Sequence, residues 1–399
     1  MYDKKLASRV KQMENGELAG LMSLIARDDI ISFAGGIPDE YIFPHEELCQ
    51  LTEEIFGDQG CKVFQYSSTD GSQELKEFLI EFLGERGLET NLEELIITTG
   101  SQQAIDLVSK IFINPGDVVF VEKPGYVGGI GAIKSYEAET IGLNMQNDGV
   151  DTEQLERNLK ECVNEGKNIK FIYLVPDFSN PSGIQLSMEK RQKIIELAEK
   201  YDFFILEDTP YSELDYFKER LPYMKELDDN NRVILMGTFS KFFIPGMRIA
   251  WICANKELID IFCRAKQNAD LASNSYGQML LTEAGRSGLL KKQLEKVIPH
   301  YLERLKAMGK ALTEYMPQSV SWFEVRGGFF YWLKLPENIT GRELFKLALE
   351  KKVAFVTGNS FFPVDSDGDH YIRMSFSKTP PEDIEKGVKI LANIIKEYQ

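Results

Sequence analysis

The chain has 399 residues, of which 43% are hydrophobic and 27% charged, and its formal net charge is −16. This length predicts two domains, and the acidic balance argues against a nucleic-acid-binding surface, which needs concentrated lysine and arginine. The five cysteines lack metal-type spacing and are expected to be reduced thiols. Without an apolar signal core or a run of about 18 apolar residues, we expect a cytoplasmic protein that does not enter a membrane.

Short apolar runs alternate with helical stretches through the first two thirds of the chain. Residues 95–99 form a β-branched run that stops at Gly100, and Ser101 is predicted to cap a helix extending to about Phe112. Further strands are predicted at 118–121, 171–175, 203–206, 233–236 and 249–253, with a helix at Met188–Tyr201. Continuous apolar strands between amphipathic helices indicate the α/β class, with a mostly parallel sheet covered on both faces.

The pattern changes after about residue 285. It predicts a long helix from Leu289 to about Tyr315, short strands near 322–325, 329–333 and 372–376, and helices near 342–350 and 381–398. We therefore predict a large domain over residues 51–285 and a smaller α+β domain over residues 286–399. Residues 1–50 are expected to pack with the small domain and over the functional site.

Polar residues follow several of the predicted strands, and sheets of this kind bind ligands beyond the carboxyl ends of their strands. An acid, a phenol, two hydroxyls, an amine and a guanidinium stand close together in the chain: Asp208, Tyr211, Thr238, Ser240, Lys241 and Arg248. These are the groups that pyridoxal 5'-phosphate (PLP) needs, namely an amine, an acid facing its ring nitrogen, a donor to its phenolic oxygen and a cationic, hydroxyl-lined phosphate cup. Their combination indicates a PLP site, although each residue alone has an ordinary structural explanation.

The catalytic candidates are Lys241, Asp208 and Tyr211. Lys241 would form the Schiff base, which requires a pKa lowered by burial or by nearby positive charge. Asp208 would keep the pyridine nitrogen protonated, while strand alternation sends the carboxylate of Glu207 to the other side. Tyr211 would donate a hydrogen bond to the phenolic oxygen.

The remaining candidates would bind phosphate, ring or substrate. Backbone N–H groups of a helix N-terminus attract anions, and a guanidinium inside a strand is costly to bury without a carboxylate partner. For the phosphate these candidates are Gly100, Ser101, Gln102, Thr238, Ser240 and Arg248; for the ring, Tyr126 by stacking and Asn180 at the phenolic oxygen; for a substrate carboxylate, Asn180 and Arg373. One other motif fails: Gly129-Ile130-Gly131 does not complete a dinucleotide-binding GxGxxG, because Lys134 stands at the last glycine position.

Together these motifs resemble those of fold-type I PLP enzymes, specifically the class I/II aminotransferases, nearest to the 2-aminoadipate and aromatic (kynurenine-type) branch. The motifs lie at residues 33–38, 65–71, 179–183, 207–211, 236–248 and 372–377. The resemblance implies a mostly parallel seven-stranded sheet flanked by helices, a smaller α+β domain and PLP as the cofactor. It implies a homodimer in which Tyr66 reaches the phosphate of the neighbouring subunit, and a substrate carboxylate held between the Gly36 backbone and Arg373. It also implies a helix near residues 17–25 that covers the substrate side chain.

The resemblance predicts transfer of an amino group from an L-amino acid to a 2-oxo acid, such as 2-oxoglutarate, in a ping-pong reaction. Ala19 stands where aminoadipate enzymes carry a side-chain-binding arginine, which favours an aromatic or large aliphatic donor. One alternative is a carbon–sulfur β-lyase or another amino-acid lyase, because the cofactor site does not fix which substrate bond breaks. Another is the effector domain of a PLP-dependent regulator, disfavoured by the acidic charge and the short segment before Phe33.

Overall fold

The described residues form a large sheet, a smaller sheet and one further pair of strands. The structure, a computed structural model, describes residue 2 and residues 5–12, 29–363 and 365–398. The predicted helix near residues 17–25, which includes Ala19, lies outside the described residues. Within them, no helix combines the length and the apolarity needed to cross a bilayer.

The strands are numbered in chain order over the described residues. They are β1 (Ile31–Ser32), β2 (Leu95–Thr98), β3 (Val118–Lys123), β4 (Glu139–Gln146), β5 (Gly149–Val150), β6 (Ile169–Leu174), β7 (Phe204–Asp208), β8 (Val233–Thr238), β9 (Ala250–Cys253), β10 (Ser321–Trp322), β11 (Phe330–Lys334), β12 (Val353–Ala354), β13 (Val356–Thr357) and β14 (Tyr371–Ser375).

The larger sheet has the strand order β2-β9-β8-β7-β6-β3-β4-β5. Strands β3, β4, β6, β7 and β8 pair in parallel, whereas β9 runs antiparallel to both of its neighbours. The predicted α/β class with a mostly parallel sheet is therefore confirmed. Over the described residues the strand count is eight rather than seven, because the two-residue β5 folds back as a hairpin on β4 and becomes the last strand of the sheet.

The smaller sheet is antiparallel, with the order β10-β11-β14-β13. Strand β1 pairs in parallel with β12, which attaches the segment around Ile31 to the C-terminal part of the chain. The strand predicted at 322–325 is shorter than expected and covers only Ser321–Trp322. The domain boundaries at residues 50 and 285 stay a prediction.

Helices pack against strands of both the larger and the smaller sheet. In the described residues they are α1 (His45–Gln59), α2 (Gln73–Gly84), α3 (Ser101–Phe112), α4 (Val127–Lys134), α5 (Thr152–Asn164), α6 (Met188–Tyr201), α7 (Lys256–Gln267), α8 (Ser275–Arg286), α9 (Leu289–Tyr315), α10 (Gly341–Glu350) and α11 (Pro381–Glu397). The helices predicted at residues 101–112, 188–201 and 289–315 are confirmed.

Candidate functional site

A cavity of about 360 Å³ lies where the central strands of the larger sheet end and the smaller sheet approaches. Most of the predicted site residues line it: Gly36, Ser101, Gln102, Tyr126, Asn180, Asp208, Tyr211, Thr238, Ser240, Lys241, Arg248 and Arg373. Asp208 ends β7 and Thr238 ends β8. The site is thus built at the carboxyl ends of adjacent parallel strands, where ligands bind in sheets of this kind.

Lys241 follows β8 and reaches into the cavity. Its Nζ donates a hydrogen bond to the carbonyl oxygen of Gly36 at 3.2 Å. Burial disfavours the charged ammonium, and together with the positive charge of Arg373 it lowers the pKa of Lys241 to about 8. A substantial fraction of this amine is therefore neutral near pH 8, as a nucleophile or proton acceptor must be.

Asp208 is buried at the end of β7. Its Oδ2 accepts a hydrogen bond from the Tyr173 hydroxyl at 2.8 Å, whereas its buried Oδ1 has no hydrogen-bond partner among the described residues. Burial raises the pKa of Asp208 to about 7, against the hydrogen bond from Tyr173 and the charge of Lys241. Glu207 points away from the cavity, as strand alternation predicts, and accepts hydrogen bonds from the backbone N–H groups of Met224 and Lys225.

Gly100 and Ser101 begin α3 beside the guanidinium of Arg248. Gly100 has φ 78°, and a Cβ at this position would overlap that guanidinium. The expectation that Ser101 caps the helix is wrong, because Gly100 is the N-cap and no side chain caps the helix end. The buried hydroxyl of Ser101 instead has no hydrogen-bond partner among the described residues, so it is free to bind a ligand.

Thr238, Ser240 and Arg248 line the same cavity as the first residues of this helix. Thr238 Oγ1 is 2.9 Å from Ser240 Oγ and 3.0 Å from the carbonyl oxygen of Ile249. Arg248 has a left-handed backbone with φ 56° at the end of a short 3₁₀ turn. Two hydroxyls and one guanidinium beside unpaired backbone N–H groups make a binding site for a phosphate dianion.

Arg373 in β14 is 4% exposed. Its Nη1 donates to Asn180 Oδ1 at 2.9 Å and its Nη2 to the carbonyl oxygen of Ala34 at 2.7 Å, while Nε has no partner among the described residues. Burial lowers the pKa of Arg373 to about 10. A buried guanidinium satisfied only by neutral oxygens favours binding of a carboxylate.

Aromatic side chains enclose the cavity. The Tyr211 ring packs edge-on against Phe329 and Phe330, with centroid distances of 5.7 and 5.8 Å, and burial raises the pKa of Tyr211. The half-buried Tyr126 precedes α4, and its hydroxyl is 3.4 Å from Gln102 Oε1. Gly36 is packed so closely that an added Cβ would lie 2.8 Å from the Phe330 ring.

Tyr66 lies outside this cavity. It is 79% exposed and lines a separate groove with Leu51, Lys62 and Arg286. Within one chain it therefore does not join the other predicted site residues.

These groups fit the cofactor that the sequence motifs imply. The unpartnered Asp208 Oδ1 suits a protonated ring nitrogen, and the unpartnered Ser101 hydroxyl in a cationic cup suits a phosphate. Sequence reasoning missed Tyr173, which lies inside a continuous apolar run, and Glu122, which directly follows one. The buried carboxyl of Glu122 accepts hydrogen bonds from Ser179 Oγ at 2.7 Å and from the Val175 N–H at 3.3 Å. It thereby supports the turn that carries Asn180, and burial raises its pKa to about 8.

Comparison with known proteins is consistent with this geometry. Residues 41–391 match the family model described as aminotransferase class I and II. The chain is 38% identical to aromatic-amino-acid aminotransferase 1 of Thermococcus litoralis, over 99% of this chain and 95% of that protein. It superposes with a TM-score of 0.94 on the Pyrococcus horikoshii kynurenine aminotransferase, solved with PMP and kynurenine, at 37% identity and coverage of 99% and 98%. The alpha-aminoadipate aminotransferase of Thermus thermophilus, complexed with N-(5'-phosphopyridoxyl)-L-leucine, superposes with a TM-score of 0.91 at 33% identity, covering 100% and 99%.

Proposed function

Since this chain belongs to the class I and II aminotransferases, we propose that it uses PLP to transfer the amino group of an aromatic or large aliphatic L-amino acid to a 2-oxo acid. One observation carries the proposal: Lys241, Asp208 and Arg373 converge in a single cavity. Amino-acid chemistry on this cofactor needs three groups that the cavity supplies. They are the Lys241 amine with its lowered pKa, the Asp208 carboxyl with an unpartnered oxygen, and the Arg373 guanidinium, which is bonded to an amide oxygen rather than to a carboxylate.

PLP, when bound, supplies an electron-accepting ring for the electrons released as the Cα–H bond breaks. Asp208 would hold the ring nitrogen through Oδ1, and Tyr211 and Asn180 would contact the phenolic oxygen. Ser101, Thr238, Ser240 and Arg248 would hold the phosphate together with the backbone N–H groups of Ser101 and Gln102 at the start of α3. The N–H of Gly100 already donates to the carbonyl oxygen of Thr98 at 2.9 Å, so Gly100 would contribute close approach of the backbone rather than a donor. Tyr126 would cover the ring face.

Lys241 is the proposed proton carrier. Its neutral amine would act as general base and accept the Cα proton of the substrate. It would then act as general acid and donate this proton to the aldehyde carbon of the cofactor, which receives the amino group. Its lowered pKa places both protonation states within reach near pH 8.

Arg373 is the proposed anchor of the substrate carboxylate. Asn180 and the Ala34 carbonyl oxygen hold the guanidinium in place, and the Gly36 backbone would contact the carboxylate from the opposite side. This anchoring would fix the substrate so that its Cα–H faces Lys241.

The preference for an uncharged side chain follows from the rest of the lining. The cations that line the cavity in the described residues are Lys241, Arg248 and Arg373, and each already has a proposed role. Ile37, Val127 and Pro210 add apolar surface. Together with Ala19 in the sequence, this favours an aromatic or large aliphatic donor over one with a second carboxylate.

We further propose a homodimer in which Tyr66 completes the phosphate cup of the partner subunit. Tyr66 is exposed beside an aromatic patch in which Phe56 stacks on Phe64 and Tyr276, with centroid distances of 5.7 and 5.6 Å. Phe64 is 76% exposed, and exposed aromatic patches are typical of subunit interfaces.

A donor screen tests the proposed function. Purified protein loaded with PLP is mixed with phenylalanine, tyrosine, leucine, kynurenine, 2-aminoadipate or glutamate, and the half-reaction is followed by absorption. Products are assayed as oxo acid, as pyruvate with ammonia, or as carbon dioxide, which separates transamination from the lyase reactions. We expect oxo acids from the aromatic and aliphatic donors, no turnover by Lys241→Ala and full turnover by the exposed control Lys306→Ala. Conversion of 2-aminoadipate alone would overturn the proposed specificity.

A further inference from the structure

Tyr173 is a buried tyrosine whose hydroxyl serves the proposed ring-binding acid. It lies in β6, where it pairs with Leu206 of β7. Since side chains alternate along a strand, Leu206 and Asp208 share a face of the sheet, and Tyr173 stands beside them. The Tyr173 hydroxyl donates to Asp208 Oδ2 at 2.8 Å.

The two oxygens of Asp208 are therefore in different states. Oδ2 accepts a hydrogen bond from the Tyr173 hydroxyl. The buried Oδ1 has no hydrogen-bond partner among the described residues, and Asp208 lines the cavity. A hydrogen bond on one oxygen fixes the rotation of the carboxylate and stabilises its charged form. This leaves Oδ1 available to a ligand in the cavity.

The Tyr173 ring packs against Gly129, where a larger residue would not fit. A Cβ on Gly129 would lie 2.5 Å from Cε1 of the Tyr173 ring and 2.9 Å from its hydroxyl. Gly129 lies inside α4, where alanine would be intrinsically more favourable than glycine. Gly129, which belongs to the incomplete dinucleotide-binding motif of the sequence, thus leaves space for the Tyr173 ring.

Burial and nearby acidic groups keep the Tyr173 hydroxyl protonated, so that it can donate a hydrogen bond. Burial and the neighbouring Asp208, Tyr126 and Glu122 all raise the pKa of the Tyr173 hydroxyl, so it remains protonated. Lys241 is the cation that acts on Asp208 from within the cavity.

We propose that Tyr173 is a positioning residue, which through its hydrogen bond to Oδ2 turns Oδ1 of Asp208 toward the cofactor ring nitrogen and keeps the shared proton on that nitrogen. The inference rests on the proposed function. Without the Tyr173 hydroxyl the Asp208 carboxylate becomes a stronger base, because its charge is less stabilised. The proton then moves from the ring nitrogen toward Oδ1, and the ring accepts electrons less well.

The test is the nitrogen-15 NMR shift of the ring nitrogen in protein loaded with ring-labelled PLP. In Tyr173→Phe we expect this shift to move toward the unprotonated value, and kcat to fall about tenfold, as for loss of one hydrogen bond to a charged group, with little change in KM. Gly129→Ala should move the shift in the same direction. Gly131→Ala is the matched control, since a Cβ there meets nothing within 4 Å, and Tyr331→Phe controls for loss of a buried hydroxyl elsewhere.

A second variant should move the nitrogen-15 shift of the ring nitrogen in the opposite direction. Incorporation of 3-fluorotyrosine at position 173 makes the hydroxyl a stronger donor and should move the ring-nitrogen shift toward the protonated value. An unchanged shift in Tyr173→Phe and in the fluorinated protein would overturn the role of Tyr173 while leaving the cofactor assignment intact. Failure of the unmodified protein to bind labelled PLP would instead contradict the proposed function.

Discussion

Lys241 carries a prediction that needs no cofactor. Burial and the charge of Arg373 lower its pKa to about 8, so the neutral amine should prevail above that pH and the charged form below it. Competitive labelling of the cofactor-free protein with an amine-acylating reagent, read by mass spectrometry, should give a midpoint near pH 8 for Lys241, with the exposed Lys306 as internal reference. A midpoint near the ordinary lysine value of about 10.4 would contradict the burial of this amine.

At the same scale, the sequence predicts residues whose chemistry is specific and misses those that act through them. Lys241, Asp208 and Arg373 are recognisable because an amine, an acid and a guanidinium beside apolar strands require a partner. Tyr173 escapes recognition because a tyrosine within an apolar run is typical of a core strand. Its hydrogen bond to Asp208 joins the neighbouring strands β6 and β7. Neither strand's sequence shows on its own which residues of the other strand lie beside it.

At the scale of single elements, the N-terminus of α3 depends on Gly100. In Gly100→Ala the backbone strain at φ 78° should cost about 1–3 kcal/mol of unfolding free energy, and the new Cβ should displace the Arg248 guanidinium. The PLP dissociation constant, measured by fluorescence titration, should then rise about tenfold or more.

Gly116→Ala is the matched control for this change. Gly116 has a comparable positive φ of 87°, but a Cβ there meets nothing within 4 Å. Both variants should lose stability in urea unfolding, and only Gly100→Ala should lose cofactor affinity. Equal affinities for PLP in the two variants would show that contact between Gly100 and Arg248 does not shape the phosphate cup.

Elements with a one-sided or continuous apolar pattern are predicted well, and strands without such a pattern are not. The helices α3, α6 and α9 follow their apolar periodicity. Strand β4 is missed because most of its residues are at least partly exposed, and its sequence contains no continuous apolar run. The N-terminus of α3 shows the same limit, since a serine before a helix predicts a cap by local propensity, whereas here Gly100 takes that position.

At the scale of the whole molecule, Asp39 fastens the segment that carries Gly36 to the long helix α9. Its Oδ2 lies 3.0 Å from His300 Nε2 and 3.1 Å from Arg304 Nη2. In Asp39→Asn we expect the free energy of unfolding to fall by about 2 kcal/mol, as for loss of charged hydrogen bonds, measured by urea denaturation near pH 7.

The pH dependence of this loss has a definite sign. Burial alone would raise the pKa of Asp39, but hydrogen bonds from His300 and the Tyr41 backbone and the charge of Arg304 hold it below its ordinary value. The folded protein therefore favours the ionised form, and the stabilisation is present above the unfolded pKa of about 3.9. It is lost as the pH falls through the lower folded pKa. The difference between wild type and Asp39→Asn should stay constant above about pH 5 and shrink below it; a difference that grows on acidification would exclude this role.

Subunit mixing tests whether Tyr66 acts across a dimer. Lys241→Ala removes the proposed proton carrier of its own site, and Tyr66→Phe removes a hydroxyl that we propose for the phosphate site of the partner subunit. In a hybrid dimer of the two variants, one site combines a normal Lys241 with a normal Tyr66. If half of the dimers in a random mixture are hybrids, about a quarter of the sites should be intact, so activity at limiting PLP should rise above the mean of the parents.

The control mixture contains Lys241→Ala and Arg373→Gln. Lys241 and Arg373 line the same cavity of one chain, so every site in that hybrid dimer lacks one of them and mixing should restore no activity. If Tyr66 acted within its own chain, its mixture would behave like this control. Because Tyr66 stands on an exposed groove rather than in the cavity of its own chain, we expect recovery in the first mixture alone.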